Sequence, residues 1–206
     1  MAHDPDEFRW PLGDELDGDR ALGATGADLS GLRLALLLTG SIAAFRAPGL
    51  IRQLRRAGAD DVFVYATPAA LQFVARDSLE WTSLHPVVAA LDGRAQHVEL
   101  KGVDAWLVAP ATYSTIAKVA VGIADNAVTT ALASALGLLE RRETAVLFAP
   151  TMHGTMLNAI CRANLARLAD LGCQIVPPCG RDGKALLTDD ATLIAAVAAA
   201  ISAAEA

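Results

Sequence analysis

The chain has 206 residues, of which 53% are hydrophobic and 19% charged. That is enough apolar material for one well-packed domain, and it excludes an intrinsically disordered chain. The formal net charge is −6, with no basic stripe to replace phosphate counterions, which argues against nucleic-acid binding. Arg52, Arg55 and Arg56 read as one solvated helix face. No stretch approaches the about 20 uninterrupted apolar residues of a membrane span. The N-terminal MAHDPDEF lacks the basic-then-apolar pattern of a secretion signal. The cysteines, Cys161, Cys173 and Cys179, are odd in number and lack paired spacing. They speak against a disulfide framework or a zinc site and fit a reducing cytoplasm. So apolar a chain is expected to bury part of its surface in an oligomer.

Residues 1–30 are rich in Asp and Gly and hold no sustained period; they read as a flexible or surface-lying extension. The body, residues 31–206, alternates strand-like and helix-like segments. Leu34–Leu38 is a short apolar run, expected as a strand buried on both faces. Ala43–Ala57 has helical spacing and stops at Gly58. Val62–Ala66 is a second strand and Pro68–Val74 a short helix. Ala105–Ala109 is a third strand, ending at Pro110. Ser114–Leu138 is helical in period, with Gly122 and Asp125-Asn126 as points of interruption. Ala145–Ala149 is a fourth strand, Met156–Leu171 a helix closed by Gly172, and Gln174–Val176 a fifth strand. Asp190–Ala204 is a terminal helix with Thr188 or Asp189 as N-cap. This alternation predicts an α/β fold, a parallel sheet covered on both faces by helices. Ligands of such sheets sit beyond the carboxyl ends of the strands, so Thr39-Gly40-Ser41, Thr67, Pro110-Ala111-Thr112 and Pro150-Thr151-Met152-His153 are expected on one rim.

Several residues there suit ligand chemistry, each beside a plainer structural role. Gly40 and Ser41 open a helix whose free amides either seat a phosphate or are merely capped by Ser41. Thr67 is a further donor or a cap. Pro110 to Thr115 form a rigid, hydroxyl-rich loop suited to an anionic or heterocyclic ligand, or simply a capped helix start. His97 is a residue type that shuttles protons, whereas His3 and His85 read as surface residues. His153 stands on the expected rim. Cys179, in Cys179-Gly180-Arg181-Asp182-Gly183, falls in what reads as a mobile loop able to close over a site, where a thiol can donate a proton. Cys161 and Cys173 read as core residues. Met152 and Met156 either contact a ligand or fill the core.

The order of these signals carries more than any one of them. Thr39-Gly40-Ser41-Ile42-Ala43-Ala44-Phe45, His97-Val98-Glu99-Leu100, Ala109-Pro110-Ala111-Thr112 with Gly122-Ile123-Ala124-Asp125-Asn126, and Pro150-x-Met152-x-x-x-Met156 together resemble the homo-oligomeric flavin-containing cysteine decarboxylases, from about Leu32 onward. The resemblance implies a flavodoxin-like, Rossmann-type three-layer sandwich that binds FMN between subunits of a trimer or dodecamer. It implies that Gly40, Ser41 and Thr67 hold the phosphate, with Ile42 a further cofactor contact, that Phe73 lies near the ring, and that Ala109, Pro110, Ala111, Thr112, Tyr113, Ser114 and Thr115, with Met152, line the pocket. It implies oxidation of a cysteine moiety by FMN and loss of carbon dioxide from the resulting thioaldehyde, with His97 as base and Cys179 as proton donor from a substrate-covering flap. The substrate would be a small molecule with a cysteine or carboxylate group.

The sequence also departs from that pattern. His153 replaces the asparagine that holds substrate carboxylate, so it is expected to take over that role. The asparagine expected near Ser114 is absent, Leu157 replaces an aromatic residue, and the flap before Cys179 is shorter. The chain ends at Ala206 without the fused synthetase domain of many bacterial relatives. These differences keep two other readings open. One is a flavin reductase or electron carrier, for example of pterins; the other is a non-catalytic regulatory subunit. A prenyl-transferring flavin enzyme fits less well, because its first turn is glycine-rich.

Overall fold

The computed structural model describes residues 22, 25–26, 28–91, 102–181 and 183–205. The main sheet is built from β1 (Arg33–Leu38), β2 (Asp61–Ala66), β3 (Ala105–Ala111), β4 (Ala145–Pro150) and, after a short strand β5 (Met152–His153) that belongs elsewhere, β6 (Gln174–Ile175). All its pairings are parallel, in the order β2-β1-β3-β4-β6. The apolar run of β1 needs two covered faces, and it has them. Leu34, Leu36 and Leu38 pack on one side, Ala35 and Leu37 on the other. The first side is covered by α1 (Ala47–Arg56), α2 (Arg76–Ser83) and α6 (Asp190–Glu205). The second is covered by α3 (Tyr113–Ala120), α4 (Ala127–Glu140) and α5 (Ala159–Asp170). This is the three-layer α/β sandwich that the alternation predicts.

The helices differ in detail from their sequence spans, for local reasons. Pro48 cannot donate and belongs in a first turn. Ile42–Arg46 therefore winds as a 3-10 turn, and α1 begins only at Ala47. The Pro68–Val74 span shrinks to a 3-10 turn, Ala70–Gln72. The helix α2 is not anticipated; of its residues only Leu79, Thr82 and Ser83 are buried, too few to mark a period. The long Ser114–Leu138 span splits in two. Gly122 turns the chain with φ 77°, and Asn126 starts α4 in a reciprocal cap with Thr129. Asn158 likewise caps α5, accepting from the Cys161 amide at 3.0 Å. At the last helix the cap is Asp189, which accepts from the Thr192 amide at 2.8 Å. The Thr192 bonds hold its carboxyl below the usual aspartate range.

Two devices tie the ends of the chain to the sheet. Arg46 donates to the carbonyls of Leu187 and Thr188 at 3.0 and 2.9 Å and pairs with Asp190, joining the first crossover to the start of α6. Leu29 is fully buried, and its amide donates to the Ala57 carbonyl beyond α1. Cys179, Gly180 and Arg181, expected in a mobile loop, are instead a strand of a hairpin. Strands β7 (Cys179–Arg181) and β8 (Lys184–Leu186) join β5 in an antiparallel sheet of order β5-β8-β7. A Cβ on Gly154 would run into the Gly183 carbonyl, so a glycine there lets the hairpin close against the chain after β5.

Because Leu36 is fully buried at the centre of the first core face, Leu36→Ala should lower unfolding stability by about 3 kcal/mol. Urea denaturation checks this, and a loss below about 1 kcal/mol would show that the site collapses or that the sheet is not packed as described.

Candidate functional site at the β1–β3 crossover

The strand order fixes where a site must lie. From β1 the chain steps outward to β2 and then returns to β3 on the other side of β1. The crossovers after β1 and β3 therefore diverge and leave a crevice at the carboxyl ends of those strands. A cleft of about 620 Å³ occupies that position. Gly40, Ser41, Thr67, Pro68 and Ala69 line one side, and Thr112, Tyr113, Ser114, Thr115 and Lys118 the other. Asn126, Thr151, Met152 and Met156 complete the lining.

The mouth is held by a buried hydroxyl at the end of β1. Thr39 is 1% exposed. Its Oγ1 donates to the Pro110 carbonyl at 2.7 Å and accepts the Thr112 amide at 3.0 Å. Thr112 Oγ1 lies 3.0 Å from the same atom and 3.3 Å from Thr115 Oγ1. The cap oxygen of α3 is thus spent on the strand, and Thr112 makes no side-chain cap to its own helix. The first amides of α3 are left without a side-chain cap, on residues that line the cleft, with the partial positive charge of a helix start. Across the cleft Ser41 caps its own 3-10 turn, accepting from the Ala43 amide at 3.3 Å. Thr67 Oγ1 accepts from the Ala70 amide at 3.2 Å. Both hydroxyls keep a proton to donate. Ser114 is exposed, and its hydroxyl makes no hydrogen bond among the described residues.

Lys118 is the cation of the lining, and its Nζ lies 2.6 Å from Asp125 Oδ2. That bond to Lys118 draws the Asp125 carboxyl below its usual range. Pro68, Ala69, Tyr113, Met152 and Met156 supply apolar wall. Hydroxyls and helix-start amides at one end, with flat apolar walls beside them, fit a ligand that joins a phosphate to a planar heterocycle.

The structure gathers seven of the residues named from sequence as cofactor contacts: Gly40, Ser41, Thr67, Thr112, Ser114, Thr115 and Met152. Others are placed elsewhere. Ala109 and Ala111 are buried in opposite core faces, and Pro110 contributes its carbonyl to Thr39. Ile42 and Phe73 are outside the lining and 68% and 40% exposed. Met156, open to the core-filler reading, is 43% exposed and lines the cleft. His97 lies outside the described residues. Cys179 is exposed on the outermost strand of the hairpin. His153 is exposed and outside the lining; its Nδ1 is 2.9 Å from Thr155 Oγ1. The cysteines Cys161 and Cys173 are core residues, and burial pushes the Cys173 thiol up to about 12. Tyr113, within the loop expected to line the pocket, does so. Lys118 was given no role from sequence.

A family model described as Flavoprotein matches residues 23–202. The "Coenzyme A biosynthesis bifunctional protein CoaBC" of Thermococcus kodakarensis is 36% identical over 163 residues, 76% of this chain and 39% of that protein. The chain spans about two fifths of the CoaBC relatives it matches, 42% for that of Escherichia coli. A "Probable phosphopantothenoylcysteine decarboxylase" of Streptococcus mutans is 37% identical over 79% of this chain and 94% of its own length. Among solved structures, the FMN-dependent cysteine decarboxylase SpaF superposes with a TM-score of 0.72 at 27% identity, over 86% of this chain and 99% of that one. The corresponding enzyme TvaF, from thioviridamide biosynthesis, superposes with a TM-score of 0.69 at 31% identity, over 86% and 100%.

Gly40 shapes the cleft by close approach. A Cβ there would lie 2.6 Å from the Ala69 Cβ. Gly40→Ala should cost about 1–3 kcal/mol of stability, read by urea denaturation, and Ala69→Gly in the same chain should recover most of it. Strictly additive losses would show that the two loops are not in contact.

Proposed function

This chain belongs to the Flavoprotein family, and from that membership we propose that it is an FMN-dependent decarboxylase of a cysteine moiety, with a phosphopantothenoylcysteine-like substrate. One observation of the fold carries the reading. The crossover that a parallel sheet of this order leaves open is lined by hydroxyls on both sides and by the uncapped start of α3 on one, with apolar walls beside them. Support for the chemistry comes from relatives named for cysteine decarboxylation, one of which this chain covers almost end to end.

In this proposal Ser41 and Thr67 donate to the FMN phosphate, with the turn amides after Gly40. Thr112, Ser114, Thr115 and the α3 start provide donors for the polar edge of the ring. Tyr113, Met152 and Met156 exclude water from it. FMN, when bound, supplies the two-electron acceptor for oxidation of the substrate cysteine. His97 removes the substrate proton, and Cys179 returns one to the product. The hairpin that carries Cys179 is tied by ladder bonds to β5, whose Met152 lines the cleft. That attachment supports its role as a cover.

The proposal extends to assembly and place. Ile42 and Phe45, 68% and 61% exposed beside Ser41, and Val121 and Ile123 after α3 are large apolar groups left open. They support a homo-oligomer, a trimer or a dodecamer, whose contacts cover the cleft region. Cysteines that are all free support a cytoplasmic protein. No described helix is long and apolar enough to cross a membrane.

The test is anaerobic incubation of the FMN-loaded protein with 4'-phosphopantothenoylcysteine. Release of carbon dioxide is expected. His97→Asn should keep the flavin and lower carbon dioxide release by at least about a hundredfold. No carbon dioxide from the parent protein would move the reading to a reductase.

A further inference from the structure

The hairpin that carries Cys179 leaves and rejoins the fold at two anchors. On the entering side Val176 is buried, and its amide donates to the Phe148 carbonyl at 2.8 Å. Pro177 and Pro178 follow, and neither has an amide with which to hold the chain further. Between the anchors the hairpin is tied to β5 by a two-residue ladder, Met152 with Ala185 and His153 with Lys184. On the returning side Leu187 and Thr188 are buried, and Arg46 grips both. One of its guanidinium nitrogens donates to their two carbonyls at 3.0 and 2.9 Å, and the other pairs with Asp190. These bonds do more than start α6, whose cap is already made by Asp189, accepting from the Thr192 amide and hydroxyl.

Arg46 does not itself line the cleft. It is the last residue of the five-residue 3-10 turn Ile42–Arg46, which Ser41 caps from the cleft wall. That single short turn stands between one wall of the cleft and the returning end of the hairpin. A planar guanidinium fork that holds two carbonyls and a carboxylate fixes an orientation as well as a distance, which a lysine cannot reproduce. We propose that Arg46 is a positioning residue for the hairpin, setting it, and with it Cys179, against the cleft. It acts through the hairpin on the covering and protonation of the substrate and has no part in holding the cofactor. The inference rests on the decarboxylase reading for what the hairpin covers.

The experiment compares Arg46→Met, which keeps the stem and removes the donors, with Arg46→Lys, both in the FMN-loaded protein. Trypsin cuts after Lys184 only when the hairpin opens, so the rate of that cut reads the open population. In Arg46→Met it should rise about tenfold, while cuts elsewhere in the chain keep their rates and the flavin absorbance stays unchanged. The kcat/KM for 4'-phosphopantothenoylcysteine should fall about tenfold in the same variant. Arg46→Lys should lie between Arg46→Met and the parent in both readouts. A cut after Lys184 that does not accelerate, or that accelerates together with every other cut, would overturn the proposal. So would an opened hairpin with kcat/KM unchanged. A selectively opened hairpin, with no carbon dioxide released even by the parent protein, would leave the Arg46 tie standing and overturn the decarboxylase reading alone.

Discussion

The Thr39 hydroxyl joins the two strands between which the site opens. β1 and β3 are paired through Leu37 and Val108, but beyond that register Pro110 has no amide to give to a ladder. Thr39 Oγ1 takes over, bonding the Pro110 carbonyl and the Thr112 amide. Buried polar groups are costly unless satisfied, so this small network fixes how far the two crossovers can part. The position of Ser41 follows on one side, and the start of α3 on the other. The cleft is therefore set by the sheet, whose core is packed on both faces, and not by loops that must find each other.

The walls divide into a rigid part and an attached part. Gly40, Ser41, Thr67 and Thr112 belong to turns that leave the central strands directly. Met152 belongs to β5, which leaves the main sheet after β4 and pairs with the β7–β8 hairpin. Rigid donors suit a cofactor that stays, and a hairpin tied by short ladders suits a cover over a substrate that comes and goes. Such segments are drawn from the less stable parts of a fold. Fold alone does not choose the reaction, and the decarboxylase proposal draws its chemistry from the relatives this chain matches.

Much of this was legible in the sequence where burial is two-sided. The runs at Leu34–Leu38, Val62–Ala66, Ala105–Ala109 and Ala145–Ala149 are strands because each feeds both core faces, and their ends marked the rim. The helices were less legible. Pro48 delays α1, Asn126 restarts α4, and α2 buries too few residues to show a period. The hairpin was hidden because Gly180 and Gly183 read as loop residues, while its pairing with β5 is a long-range event. At the site, strand-end residues such as Ser41, Thr67 and Thr112 could be named in advance. Lys118 could not, since its place depends on how α3 packs beside Asp125. Ala109 and Ala111 are buried in the two cores; strict alternation would put both on one face, and the irregularity of β3 between Val108 and Ala111 sends them to opposite ones.

The central claim is that the β1–β3 crevice holds FMN by its phosphate. The most direct measurement is a comparison of FMN and riboflavin, which lacks the phosphate, titrated into the flavin-free protein by fluorescence quenching. Two charge-assisted hydrogen bonds and helix-start amides predict that FMN binds at least about a hundredfold more tightly. Equal affinities would mean that Ser41, Thr67 and their turns do not meet a phosphate, and would contradict the account.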